Sequence, residues 1–343
     1  MLLACALAFV VPFELFLFAY VVLGPLHYLT EISWLHRRNY FVRGRYDYLW
    51  LVGLCAAVVV LLLTHRAFMW RSVLIWLAFG WALALVLFAT RRAQALFIAG
   101  ALAVGWLCRH LTGYQVLFSL FLPTIIHVYL FTGAFILYGA LKRKCLWGYC
   151  SLSVFILCGA LCFLPVAIGA SASEWVRQTY QSFAGLNYNL ASAFRFADIR
   201  TVNDIYTTPS GLWLMRLIAF AYTYHYLNWF SKTSIIKWHR VSRRQLAGIV
   251  LLWLASVGLY LYDYRTGLIA LLFLSLLHVF LEFPLNYRTL IGIGRELRHV
   301  LRTEKSVAGS RQAMCPRQTA SASTHKMRKP NSSGRRVRSG ACE

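Results

Sequence analysis

From residue 12 to about residue 285 the chain is a succession of apolar runs separated by short polar breaks. Leu, Phe, Val, Ala and Trp fill the runs on every side. They show neither the one-sided stripe of a helix on a soluble core nor the strict alternation of a membrane-barrel strand. Runs of this length match the roughly 20 residues that an α-helix needs to cross a bilayer, and a helix satisfies its own backbone in lipid. The pattern predicts an all-α fold, a polytopic transmembrane helix bundle of about eight to ten spans. Nine are read, over residues 12–35, 47–64, 72–90, 93–109, 113–141, 146–170, 211–231, 246–263 and 266–285.

The breaks give the organisation. The first span begins at "VPFE", where Pro12 suits a first helical turn and Glu14 complements the positive end of the helix dipole. Residues 1–11 are apolar but too short to span; a signal-like segment, an interfacial segment and the stub of a longer helix all fit them. Residues 171–210 mix polar and aromatic positions and predict an extramembrane cap with one short amphipathic helix. From about residue 303 large apolar residues almost vanish while Ser, Arg and Lys accumulate. The expected division is a membrane domain over 1–300 and a basic, disordered tail over 301–343, whose clusters suit anionic membrane lipids.

Composition sharpens this picture. Of 343 residues 59% are hydrophobic and 13% charged, outside the range of soluble domains. The formal net charge of +24 does not imply a nucleic-acid partner, because the cations sit in the tail and in short loops. "HRRNYFVRGR", "TRR", "LKRK" and "KTSIIKWHRVSRR" all fall on one side of a nine-span bundle. The positive-inside rule then puts the N-terminus outside and the C-terminus in the cytoplasm, as in a multi-pass protein of a bacterial inner membrane. The nine cysteines are scattered, mostly within spans, and form no CxxC pair or disulfide framework.

The chain has only 11 acidic residues, so their positions carry weight. "GPLHYLTE" places His27 and Glu31 one helical turn apart, and "SLLHVFLE" repeats the spacing with His278 and Glu282. Residues i and i+4 share a helical face, so each pair can aim two ligands at one point. His127 in "TIIHVYLF" and His225 in "YTYHYLNWF" lie inside two further spans. The four histidines fall on spans one, five, seven and nine, which all run the same way. Three of them stand seven to ten residues before a basic boundary, roughly 10–15 Å below the surface at 1.5 Å per residue. His127 is deeper on a straight helix, and Pro123 offers the kink that would bring it level. His36, His65, His110 and His239 lie at loop boundaries and are expected at the interface. Tyr28, Tyr129, Tyr224, Tyr226 and Asn228 flank the four and are expected either to pack or to surround the ligands.

Four imidazoles and two carboxylates on four helices form a ligand set suited to one or two non-haem iron ions, with manganese or zinc as alternatives; nothing in the set favours copper(I) or iron–sulfur. Opened to lipid, such a site suits an oxygenase acting on a hydrophobic small molecule, a lipid or an isoprenoid. "GPLHYLTE" also resembles the Pro-His-Gly-x-x-Asp signature of the bacterial integral-membrane β-carotene dioxygenases of the Brp/Blh type. His27 matches the histidine, Glu31 stands for the Asp, Tyr28 for the Gly, and Leu26 separates Pro25 from His27. The resemblance implies a helical membrane enzyme with histidine-bound iron and a carotenoid substrate. Two other functions fit the same residues. One is a membrane acyltransferase with a His general base, since "HYLNWFSKTSIIKWH" is similar to the Asn/His sites of membrane-bound O-acyltransferases. The other is a proton-coupled transporter in which His and Glu relay protons.

Overall fold

The computed structural model describes residues 1–38, 44, 46–64, 68–166, 172–232 and 241–313, with side chains up to residue 300 apart from that of residue 68. Among these the chain is all-α, with no strand. The helices are α1 (Leu2–Val10), α2 (Pro12–Arg38), α3 (Tyr48–Leu63), α4 (Phe68–Leu87), α5 (Arg91–Cys108) and α6 (Thr112–Arg143). They continue as α7 (Leu146–Leu161), α8 (Glu174–Ala193), α9 (Asp204–Thr207), α10 (Pro209–Ser231), α11 (Arg243–Tyr262) and α12 (Tyr264–Ala313). Each of the nine expected spans holds a helix, although α7 ends at Leu161, nine residues before the expected end of its span, and residues 167–170 lie outside the described residues. Five of these, α2, α4, α6, α11 and α12, are long and apolar enough to cross a membrane by length and composition. The 16-residue α3 and α7 are apolar but shorter. α10 reads as more polar for a physical reason: it buries Ser210, Arg216, Thr223 and His225 among neighbouring helices instead of facing lipid.

Local chemistry explains where the helices start. Thr90, Ser173, Thr208 and Ser242 cap α5, α8, α10 and α11, each hydroxyl accepting a backbone N–H from the first turn. Pro12 and Pro209 occupy first-turn positions, where their missing N–H costs nothing.

Two helices depart from α geometry. α2 contains a π-helical turn over Ala19–Leu23, and α6 is π-helical from Leu117 to Phe131 around Pro123. A π turn shifts the backbone ladder by one residue and frees carbonyl groups. Trp253 of α11 donates to the Val22 carbonyl, within that turn, at 2.8 Å.

The core has two main parts. One surrounds α10 with α1, α2, α7 and α8, through residues such as Phe13, Phe16, Tyr180 and Phe220. The other joins α3, α4 and α12 through Leu51, Cys55, Ala78, Phe280 and Phe283. α7 lies tight against α6, where a Cβ at Gly159 would overlap the Tyr129 hydroxyl. The His-bearing helices α2, α6, α10 and α12 meet between the two parts.

Residues 172–208, expected to form a cap with one short amphipathic helix, hold a longer helix and the short α9. α8 runs 20 residues and turns Tyr180 and Phe183 onto Phe16, at ring separations of 5.6 and 5.0 Å. Its apolar face therefore covers the end of the bundle. α1 packs Ala4, Cys5 and Ala8 into the same core. α12 continues past the expected end of the last span and buries Asn286 and Thr289. Its backbone is helical to Ala313, and the rest of the basic tail lies outside the described residues.

Candidate metal centre

α2 brings the first pair into place. His27 Nε2 lies 3.0 Å from Glu31 Oε2, one turn along the same face. Gly24, one turn earlier, passes under Tyr226, whose hydroxyl would stand 3.3 Å from a Cβ there. One turn on, the Thr30 hydroxyl bonds back to the Leu26 carbonyl at 2.7 Å and accepts the Trp229 indole N–H at 3.0 Å. These contacts fix α2 against α10 on both sides of His27.

The other three histidines converge on that point. His225 of α10 holds its Nε2 3.1 Å from His27 Nε2. His127 of α6 and His278 of α12 hold theirs 3.1 Å apart. His27, His225 and His278 each offer a donor atom, all within 4.8 Å of one another. The His127 ring stands 4.9 Å from that of His225, which closes the group. The second carboxylate is arranged differently from the first. Glu282 reaches across helices, its Oε2 3.2 Å from Nδ1 of His127. As with Glu31 Oε2 beside His27, that is close enough for a charge contact but not aligned as a hydrogen bond. All six residues are buried, none more than 6% exposed.

The spacing can be tested against metal chemistry. Ligand bonds of 2.0–2.1 Å put neighbouring donor atoms about 2.8–3.4 Å apart in octahedral or tetrahedral geometry. The two imidazole pairs and the His27–Glu31 contact, at 3.1, 3.1 and 3.0 Å, fall in that window. The same distances suit hydrogen bonds between neutral imidazoles. Charge behaves likewise. Four neutral imidazoles and two carboxylates sum to −2 in a dry interior, and either a divalent cation or two protons would neutralise it.

The surroundings divide the flanking residues named from the sequence. Tyr226 packs on His27 with ring centroids 5.0 Å apart, and Tyr28 lies 5.8 Å from His278. Tyr129 and Tyr224 turn to Phe155 instead, at 4.5 and 5.3 Å. Asn228 is half-buried at the end of α10. His36 and His110 are exposed at helix ends, while His65 and His239 lie outside the described residues.

Two residues escaped the sequence reading. Thr132 of α6 places its Oγ1 2.9 Å from Nδ1 of His225, and a lone Thr in an apolar run carries no signal. Asn286 is buried with neither amide atom hydrogen-bonded. Its signal was present: it continues the face of His278 and Glu282 at the next i+4 step. Among the described residues the cysteines are free, with Cys5, Cys55, Cys158 and Cys162 buried. Comparison with protein-family models, with curated proteins and with solved structures finds no match, so the site is read from its own residues.

Proposed function

We propose that this chain is an integral-membrane metalloprotein whose buried His/Glu cluster holds non-haem iron, or manganese or zinc in its place, and oxidises a hydrophobic lipid or isoprenoid. The observation that supports it most is the convergence of three imidazole donor atoms within 4.8 Å from helices far apart in sequence. His27, His225, His278 and His127, with Glu31 beside His27, would be the ligands. Glu282 behind His127 and Thr132 behind His225 would orient their rings, as outer partners of metal-bound histidines do. When bound, a redox-active metal supplies the O2 chemistry. The chain itself holds the donors together in a buried, apolar surrounding that keeps water out. In this reading the basic ends of α2 (Arg37, Arg38) and α6 (Lys142, Arg143) face the cytoplasm of a bacterial inner membrane.

A second reading is favoured by the contacts themselves. Glu31 Oε2 and His225 Nε2 both stand within 3.1 Å of His27 Nε2, and Thr132 Oγ1 lies 2.9 Å from His225 Nδ1, so ionisable groups that could exchange a proton adjoin one another. Metal content separates the two. Elemental mass spectrometry of detergent-purified protein is expected to give about one or two ions per chain, lost in His27→Ala and in His278→Ala. Wild-type protein that stays metal-free after reconstitution with iron, manganese and zinc would sink the oxidation reading and leave the relay.

A further inference from the structure

α12 carries a polar row beyond the cluster. Glu282 follows His278 by four residues, Asn286 follows Glu282 by four and Thr289 follows Asn286 by three, so all lie on one side of the helix. Glu282, Asn286 and Thr289 are buried, at 2%, 1% and 3% exposure. From His278 to Thr289 the helix rises about 16.5 Å. The row thus runs from the histidines toward the basic end of α12, where Arg295 is exposed.

Two members of the row are short of partners. Among the described residues neither Nδ2 nor Oδ1 of Asn286 is hydrogen-bonded, and Glu282 Oε2 makes only its poorly aligned approach to His127. A buried polar group left unmatched costs about 1–3 kcal/mol, and folded proteins seldom keep one. The chemistry selects what matches these groups. A cation would suit the Asn286 carbonyl and the Glu282 carboxylate, but would leave the N–H groups of Nδ2 without an acceptor. Water both donates and accepts, so it serves all three. Cβ atoms four residues apart on a helix stand about 5–6 Å apart, a span that one water with two bonds of about 2.8 Å can bridge.

We propose that Asn286 and the Glu282 carboxylate hold a buried water between the His cluster and the basic end of α12. A single held water leaves the cluster closed to bulk solvent. Its role follows from its place: Glu282 stands behind His127, so a water that fixes the carboxylate also steadies that ring. The proposal goes beyond both readings of the cluster, because it rests on Asn286 and not on what the histidines bind.

The test is X-ray hydroxyl-radical labelling of the purified full-length protein in detergent and isotopically labelled water. Phe283, three residues before Asn286 and 0% exposed, is closed to radicals from bulk solvent. A water held beside Asn286 generates them in place. Label is expected on Phe283 and not on Phe155 of α7, which is 1% exposed. Asn286→Leu, similar in shape, should abolish the Phe283 label and lower the unfolding temperature by about 2–4 °C. Should that variant fail to fold, wild type decides, since an unlabelled Phe283 overturns the proposal. A higher unfolding temperature in Asn286→Leu would also overturn it, by marking the amide as an unmatched group in a dry core. So would a wild-type unfolding temperature that rises when sodium replaces choline at equal ionic strength, because the ligand would then be a cation. Neither readout involves metal content, so this proposal and the oxidation reading fail separately.

Discussion

His127 and His278 meet nitrogen to nitrogen at 3.1 Å across 151 residues of chain. The contact depends on the π-helical segment of α6, because a regular helix carrying Pro123 would turn His127 to another face. Replacing either histidine by Ala should therefore weaken metal binding by more than the roughly 10–100-fold that loss of an outer partner costs. Chelator competition on the purified variants measures this. Equal affinity in wild type and both variants would place any bound ion elsewhere.

Thr132 supports His225 from behind, 2.9 Å from its Nδ1. Thr132→Val keeps the shape and removes the hydroxyl, leaving Nδ1 without its partner and the ring free to rotate. The expected loss of metal affinity is about 10–100-fold, and Thr132→Ser should recover most of it. A purely packing role would give the opposite order, since Val preserves volume better than Ser.

The two glutamates should not behave alike. Glu31 faces the inner nitrogen of His27, whereas Glu282 faces the outer nitrogen of His127. Glu31→Gln is expected to lower the amount of metal bound at saturation, and Glu282→Gln to raise the dissociation constant while leaving the stoichiometry intact. Titrating both variants with the same metal separates the outcomes. Identical behaviour would mean that the two carboxylates share one role.

The sequence made this site partly legible. Ionisable residues stand out in an apolar chain because burying them is costly, so all six could be named before any coordinates. The i,i+4 spacing also put His27 and Glu31 together, as the short contact along α2 has it. Spacing along one helix carries no information about a neighbour, however, and Glu282 belongs to His127 instead of its own helix's His278. Helix positions were equally legible from apolar run length. The π turns were not, since they arise from packing between helices and leave no composition signal. Arg216 passed unnoticed for a related reason: one cation in a long apolar run does not reveal whether it faces lipid or protein.

The loop before α9 should be acid-sensitive. The Asp204 carboxylate accepts the backbone N–H groups of Arg200 and Thr201 at 2.7 and 2.6 Å, which hold its pKa below the usual carboxylate value. A lowered folded-state value contributes stability above the unfolded pKa, near 3.9, and that contribution is lost as pH falls through the lower value. Protection of the Arg200 and Thr201 amides, taken as exchange relative to the unstructured rate at the same pH, should therefore be present at neutral pH and lost below about pH 4. Asp204→Asn, which keeps a weaker acceptor, should flatten that dependence.

Arg216 tests the stability of the frame apart from the site. It is fully buried, donating to the carbonyls of Leu164 at 3.3 Å and Val166 at 2.8 Å, with its guanidinium 4.6 Å from the centre of the Phe9 ring. The cation thus sits just past the negative end of α7 and ties α1, α7 and α10 together. Arg216→Met fills similar volume but removes the side-chain donor to the Val166 carbonyl, and the expected cost is about 1–3 kcal/mol. Arg216→Lys should recover only part, because an ammonium lacks the fork that reaches both carbonyls. Thermal unfolding in detergent measures the loss. His225 lies nine residues further along α10, about 13.5 Å away, so metal stoichiometry in the folded variants should be unchanged. A variant that unfolds at the wild-type temperature but loses its metal would move Arg216 from the frame into the site.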